Sequence, residues 1–182
     1  MTDDNKLSIV PAQLRDTGEY SSFIVQHMAE SGQNGSPVFA PGHKPSREDV
    51  RDHAALRWSK KLTEPAWGRA FLLVNKTHNI FGHIELRGGR LISELHRASL
   101  GMGILRSHVG RGYGTRLLEY ALFWARSQPQ LAWVDLGVFE GNEPAFRLYK
   151  RAGFVVEYTR QDAFRLANGR SVNDIWMTLQ LR

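Results

Sequence analysis

Residues 104–115 read Ile-Leu-Arg-Ser-His-Val-Gly-Arg-Gly-Tyr-Gly-Thr, and they stand where an apolar strand gives way to an amphipathic helix. Gly110, Gly112 and Gly114 alternate along this turn. Glycine lets a backbone approach a ligand closely. The free amides of a helix start then hold phosphate, with the helix dipole adding to the attraction. Arg111 and Arg116 add charge for a diphosphate. The spacing is not G-x-G-x-x-G, which makes the dinucleotide fingerprint a weaker reading, and no Gly-Lys-Ser/Thr is present, which excludes a Walker loop. Taken alone, the segment also fits a glycine turn that merely starts a helix.

After the next strand come residues 138–154, Val-Phe-Glu-Gly-Asn-Glu-Pro-Ala-Phe-Arg-Leu-Tyr-Lys-Arg-Ala-Gly-Phe. With this second segment the chain resembles the GNAT superfamily of acetyltransferases. That family's glycine-rich turn has the form Gln/Arg-x-x-Gly-x-Gly/Ala. Val109 to Gly114 matches it, with Val109 where the family often has Gln or Arg. The family's Asn-x-x-Ala-x-x-x-Tyr-x-x-x-Gly-Phe run is met by Asn142, Ala145, Tyr149, Gly153 and Phe154. The two motifs stand in the expected order and separation. The resemblance covers residues 71–181, and reaches the N-terminal third by pattern alone.

The resemblance implies an α/β protein of the GNAT fold, with a central mixed, mostly antiparallel, splayed six- to seven-stranded sheet flanked by about four helices. It implies one domain over residues 1–182 and acetyl-CoA as cosubstrate. The pantetheine arm is expected between the strand ending at Ile104 and the strand ending at Phe139. Gly103, Ile104, Leu105, Val109, Gly110, Arg111, Gly112, Tyr113, Gly114, Thr115, Arg116, Asn142, Ala145 and Tyr149 are the expected cofactor contacts. Gly101 and Gly103 fit a β-bulge that parts the strands, or else tight packing. A backbone amide near Gly103 or Ile104 would polarise the thioester carbonyl. Tyr149 would protonate the departing sulfur, a feasible exchange between a phenol of pKa about 10 and a thiol of about 8.5. Asn142 would cap its helix and touch the pantetheine arm. For the general base, the residues offer Glu85 first, then Glu94, His96 or a water chain. No Ser-His-Asp order suggests a covalent intermediate, so direct attack by the amine is expected.

These residues need elements to position them. A short strand is expected at 7–10, a helix at 11–30, a Gly/Ser/Pro/Asn-rich loop at 31–45 and a helix from Ser46 to about Leu62. Residues 69–75 and 80–87 read as a hairpin around Lys76-Thr77-His78-Asn79, and residues 94–105 as a further strand. Residues 112–127 form the strongest helix pattern, with Leu117, Leu118, Ala121, Leu122, Trp124 and Ala125 on one face. A strand at 131–139, a helix at 142–152 closed by Gly153, and strands at 154–166 and 172–181 around Asn168-Gly169 complete the chain.

Composition bounds the rest. The chain has 182 residues, 42% of them hydrophobic, and no cysteine. Disulfides, thiolate metal sites and a cysteine nucleophile are excluded. Seven histidines show no His-x-x-x-His spacing, so no metal is expected. No apolar run reaches the roughly 18 residues of a membrane span, and the polar, acidic residues 1–6 lack a signal-peptide pattern, so a cytoplasmic protein without membrane contact is expected. The net charge of +6 is spread along the chain without a nucleic-acid motif, so no nucleic-acid partner is expected. The ending, residues 164–177, resembles a bacterial branch acting on amino acids, small amines or protein N-termini. Glu157 and Asp174 are candidate carboxylates for a cationic amine, and Trp58 and Trp67 fit a core or an acceptor pocket. The expected activity is acetyl transfer to a primary amine of a small molecule or amino acid. A protein N-terminal or lysine acetyltransferase is the alternative. A non-catalytic acyl-CoA-binding regulator is the third reading, opposed by the intact Tyr149 and glycine turn. The resemblance is compatible with a homodimer.

Overall fold

The computed structural model describes residues 7–40, 44–166 and 168–182. The polar start at residues 1–6, residues 41–43 of the expected loop, and Ala167 beside the expected last turn lie outside these. The hairpin expected around residues 76–79 forms from β2 (Gly68–Val74) and β3 (Ile80–Gly88). The Asn75 side chain closes its turn by accepting the amides of Thr77 and Asn79 at 3.1 and 2.9 Å. β1 (Ser8–Pro11) pairs with the outer edge of β2, and β4 (Arg97–Ile104) pairs with β3. β5 (Trp133–Phe139), β6 (Val155–Arg165) and β7 (Ser171–Gln180) complete a seven-stranded sheet of order β1-β2-β3-β4-β5-β7-β6. Every neighbouring pair is antiparallel except β4 with β5.

Among the described residues, four α-helices cover the two faces. α1 (Thr17–Ala29) and α2 (Arg47–Ser59) lie on one side, where Tyr20, Phe23 and Ala54 join Leu72 and Leu105 in a buried cluster. α3 (Tyr113–Arg126) and α4 (Glu143–Arg151) contribute to the other core. There the apolar face read from the sequence, Leu117, Leu118, Ala121, Leu122 and Ala125, meets Ile84, Leu86, Val134, Leu136 and Val138. No helix among the described residues is long and apolar enough to cross a membrane.

Three boundaries differ from the sequence expectation, each for a local hydrogen-bonding reason. The first helix starts at Thr17, not at residue 11, because Pro11 still pairs with Phe71 and the Asp16 carboxylate accepts the Gln13 amide at 2.8 Å in a 3₁₀ turn. α2 starts on the Ser46 cap as expected, but ends at Ser59. Lys60 turns extended there, and Arg69 takes its carbonyl at 2.8 Å. β4 starts at Arg97 because Glu94 ends a 3₁₀ turn and accepts the amides of Arg90 and Leu91.

The feature that matters for function is where β4 and β5 stop pairing. Their rungs run from Arg97–Trp133 to Ser99–Asp135, and the strands diverge beyond. The β-bulge expected at Gly101 and Gly103 is absent. β4 keeps an unbroken register with β3 from Gly82–Ile104 to Gly88–Ala98. The opening therefore comes from lost pairing on the β5 side, with β4 itself regular.

Trp67 supports the β2–β3 layer from beneath. Its ring is fully buried, and a Cβ built on Gly88 would stand 2.2 Å from Nε1. Gly88→Ala should therefore overpack this corner and cost about 1–3 kcal/mol, read as a lower urea midpoint at unchanged slope.

Candidate active site

A cavity of about 720 Å³ occupies the opening between β4 and β5, a volume typical of small-ligand sites. Its walls come from the end of β4, from Gly137 to Phe139 of β5, from the turn before α3, and from α4. His27 and Glu30 of α1 and the segment after it, including Pro37 and Phe39, line the same space.

The glycine turn is built as its sequence demands. Gly110 and Gly112 have φ of +75° and +79°, in the left-handed region that side chains disfavour. Gly112 is the N-cap of α3, and Arg116 N–H is the donor that bonds back to the Gly112 carbonyl, at 3.2 Å. The amides of residues 113–115 precede that bond, at the positive end of a 14-residue helix. At α4, the Asn142 side chain accepts the Ala145 amide at 3.4 Å, and Gly153 closes the helix with φ of +96°. This brings Tyr149 to the cavity wall, where it is only 6% exposed, and burial pushes its phenol pKa well above the usual value.

Of the residues expected to contact a cofactor, Gly103, Ile104, Val109, Gly110, Gly112, Gly114, Thr115, Asn142, Ala145 and Tyr149 line this cavity. Four are placed elsewhere. Leu105 turns into the core beneath α1, its amide bonded to the Phe81 carbonyl at 2.9 Å. Arg111 and Tyr113 do not line the cavity, and the Arg116 guanidinium lies over the Tyr113 ring, 5.7 Å from its centroid.

Glu85 is not on the cavity wall either. It is fully buried under α2. One carboxylate oxygen accepts from Arg57 Nε and Trp58 Nε1, both at 3.0 Å, and the other from Arg57 and Arg87 at 3.2 and 2.7 Å. Burial alone would raise its pKa, yet Arg87 and Arg57 hold it below the usual range. A carboxylate so occupied is an ion-pair centre. The sequence placed Glu85 on the third strand, facing the acceptor side, but did not reveal the arginines that claim it. Glu94 is spent on its turn, and His96 is exposed at the start of β4 with Nδ1 3.1 Å from the Ser93 carbonyl. Trp67 is core, Glu157 is exposed on the edge strand β6, and Asp174 is 7% exposed over Gly137.

The residues missed by sequence reasoning are His27, Glu30 and Phe39. All lie in the N-terminal third, where no motif marks them. The His27 ring is stacked on Phe39 at 4.4 Å and on Phe23 at 5.8 Å. Burial lowers its pKa from 6.5 to about 4. The signal that points to it is Gly103, whose missing side chain makes room for this ring.

Glu85→Gln should destabilise the protein by up to about 3 kcal/mol, the lower end for a broken buried pair, because both guanidinium groups still reach water. Denaturant unfolding measures the loss.

Residues 38–154 match the sequence profile of the acetyltransferase (GNAT) family. A search of curated protein sequences gave no match. Among solved structures, a GNAT-family acetyltransferase from Streptococcus pneumoniae superposes with a TM-score of 0.80 at 21% identity, over 96% of this chain and 99% of that one. A ribosomal-protein-alanine N-acetyltransferase from Brucella melitensis gives 0.76 at 16% identity, over 96% and 99%. A phosphinothricin acetyltransferase from Sinorhizobium meliloti, solved with acetyl-CoA, gives 0.78 at 11% identity, over 96% and 88%. The fold is shared with all three. With the profile spanning well over half of its length, and with the glycine turn and the Asn142–Tyr149 helix meeting at one cavity, the chain belongs to the GNAT family of acetyltransferases.

Proposed function

We propose that the chain acts as a single cytoplasmic domain, alone or as a homodimer. On this reading it transfers the acetyl group of acetyl-CoA directly to the primary amine of a small molecule or amino acid. The observation that carries this is one cavity joining three parts: an anion-ready helix start, a parted pair of strands and the buried phenol of Tyr149. The residues fit the cosubstrate. The turn at Gly110 and Gly112 leaves open space where side chains would stand, suited to a diphosphate against the amides of residues 113–115. The S. meliloti relative holds acetyl-CoA.

Bound acetyl-CoA supplies an electrophilic thioester carbon and a thiolate leaving group. The residues do the rest. A backbone amide near Gly103 or Ile104 polarises the carbonyl. Tyr149, kept protonated by burial, donates its phenolic proton to the sulfur. The acceptor end is bounded by Pro37 and Phe39 on one side. On the other stands Phe139, whose ring lies 4.6 Å from that of Phe164. That contact ties the last hairpin to the cavity wall, which favours a compact acceptor over a long peptide.

Calorimetric titration with acetyl-CoA, followed by thiol release across amines, amino acids and peptides, tests the proposal. Micromolar binding with release for small amines supports it, and release for peptides alone would move the acceptor to proteins. Tyr149→Phe should lower turnover roughly 10²-fold to 10⁴-fold with acetyl-CoA affinity retained; an unchanged rate removes Tyr149 as the acid. Gly112→Val forces a branched side chain to φ near +79°, a strain of about 1–3 kcal/mol, and should weaken acetyl-CoA binding by roughly tenfold or more.

A further inference from the structure

The acetyltransferase reading above leaves one part unassigned, the group that takes the proton from the acceptor amine. Among the described residues, the titratable side chains lining the cavity are His27, Glu30, Arg106, Tyr149 and Arg151. Two are arginines, which stay protonated, and Tyr149 is needed as the acid. The Glu30 carboxylate already accepts the Arg106 amide at 2.9 Å. Two buried groups outside the wall are engaged elsewhere. Glu85 is held by Arg57, Arg87 and Trp58. His83 is buried and bonded to the Tyr20 hydroxyl at 3.0 Å.

His27 is held as a proton acceptor would need to be. Its ring is nearly parallel to those of Phe23 and Phe39, at interplanar angles of 2° and 10°, so the two stacks hold its orientation. Nε2 presses against β4 at Gly103, where a Cβ would stand 2.2 Å away. Gly103 lies in the stretch of β4 that has parted from β5, at the cavity wall. Nδ1 is buried without a hydrogen-bond partner and faces Glu30 Oε2 at 4.0 Å. A proton on Nδ1, opposite that carboxylate, leaves the Nε2 lone pair on the β4 side. Ring, nearby carboxylate charge and opening thus stand in sequence, with the aromatic stack, not a hydrogen bond, setting the ring's orientation.

We propose that His27 Nε2 is the general base of the transfer. The amine arrives uncharged, and its nitrogen forms the new bond to the acetyl carbon. As it does so, its N–H proton passes to Nε2. The carbon–sulfur bond breaks with its electron pair on sulfur, which takes the phenolic proton of Tyr149. The proton on His27 then returns to the Tyr149 oxygen through solvent, restoring both groups. Amine and thioester become amide and thiol, with no other reactant. The buried imidazole is neutral over the working range of pH, so the acceptor site is open before substrate arrives.

The test compares wild type with His27→Gln, which keeps the volume, and His27→Ala. Acceptors are phenethylamine, L-phenylalanine, spermidine and an alanine-starting peptide. Both variants should bind acetyl-CoA within twofold of wild type by calorimetry, while kcat falls roughly 10²-fold or more. Free imidazole should restore part of the rate in His27→Ala and none in Tyr149→Phe. In wild type saturated with coenzyme A, which cannot react, adding the acceptor should shift the Nε2 nitrogen resonance of His27. A folded His27→Gln turning over within threefold of wild type overturns the proposal. So does an Nε2 resonance that ignores the acceptor together with no imidazole rescue. If wild type neither binds acetyl-CoA nor releases thiol with any acceptor, the acetyltransferase reading itself fails and takes this one with it.

Discussion

Arg97, on the first rung of the parallel pair, reaches across to its last rung and joins three strands. From β4 its guanidinium bonds Asp135 of β5 at 2.7 Å and Thr178 of β7 at 3.1 Å, and the Thr178 hydroxyl bonds Asp135 in turn. Its charge also lies 5.0 Å from the centre of the Trp133 ring. The β4–β5 rungs end at Ser99 and Asp135. The clamp therefore holds the strands together up to one level and releases them past it. Beyond that level, buried backbone amides and carbonyls lose their ladder, and each one left unmet costs about 1–3 kcal/mol. A sheet tolerates such a gap only where something polar fills it. An extended, amide-bearing arm fits that requirement as a strand would, so the same gap that weakens the sheet defines what it can hold.

Glycines then decide which groups reach the gap. On the front of β4, Gly101 faces open space and Gly103 gives its place to His27. On β5, Gly137 gives its place to the Asp174 carboxylate, 2.8 Å from where a Cβ would stand. Burial raises the Asp174 pKa, and its Oδ1 has no partner. At these positions the strands give up their own side chains, while Met102 and Ile104 of β4 and Val138 and Phe139 of β5 still line the cavity.

The parts legible in the sequence were those whose function is local. A left-handed N-cap needs glycine at 112, an α4 cap needs Asn142, and the exit from α4 needs Gly153, so the turn and the short helix were readable residue by residue. The apolar face of α3 was readable for the same reason, since its period is a property of one helix. Glu85 and His27 were not. Strand alternation places Glu85 on a face, but its partners Arg57 and Trp58 come from a helix, 28 and 27 residues earlier. His27 reads as one polar residue at the end of an amphipathic helix. Its meaning depends on Gly103, which its own sequence neighbourhood does not contain. The supposed bulge failed likewise, because glycine on a strand signals missing volume without naming the occupant.

Burial acts on Tyr149 and His27 in opposite directions, raising the phenol and lowering the imidazole. The result is the same for both, since each is neutral at ordinary pH. On the proposed reading the cavity starts with a proton where a leaving group needs one and a lone pair where an attacking amine needs one. Neither requires a buried ion before the reaction begins. Glu85 would have required the reverse. To accept a proton it would have to give up its share of Arg57 and Arg87, leaving two guanidinium groups without their carboxylate. On the proposed reading, the ion pairs with Arg57 and Arg87, which the strand alone does not reveal, are what argue against Glu85 in proton transfer. Burial opposes charge on His27 as well, but protonating it breaks no hydrogen bond at Nδ1, and the charge that appears faces the Glu30 carboxylate.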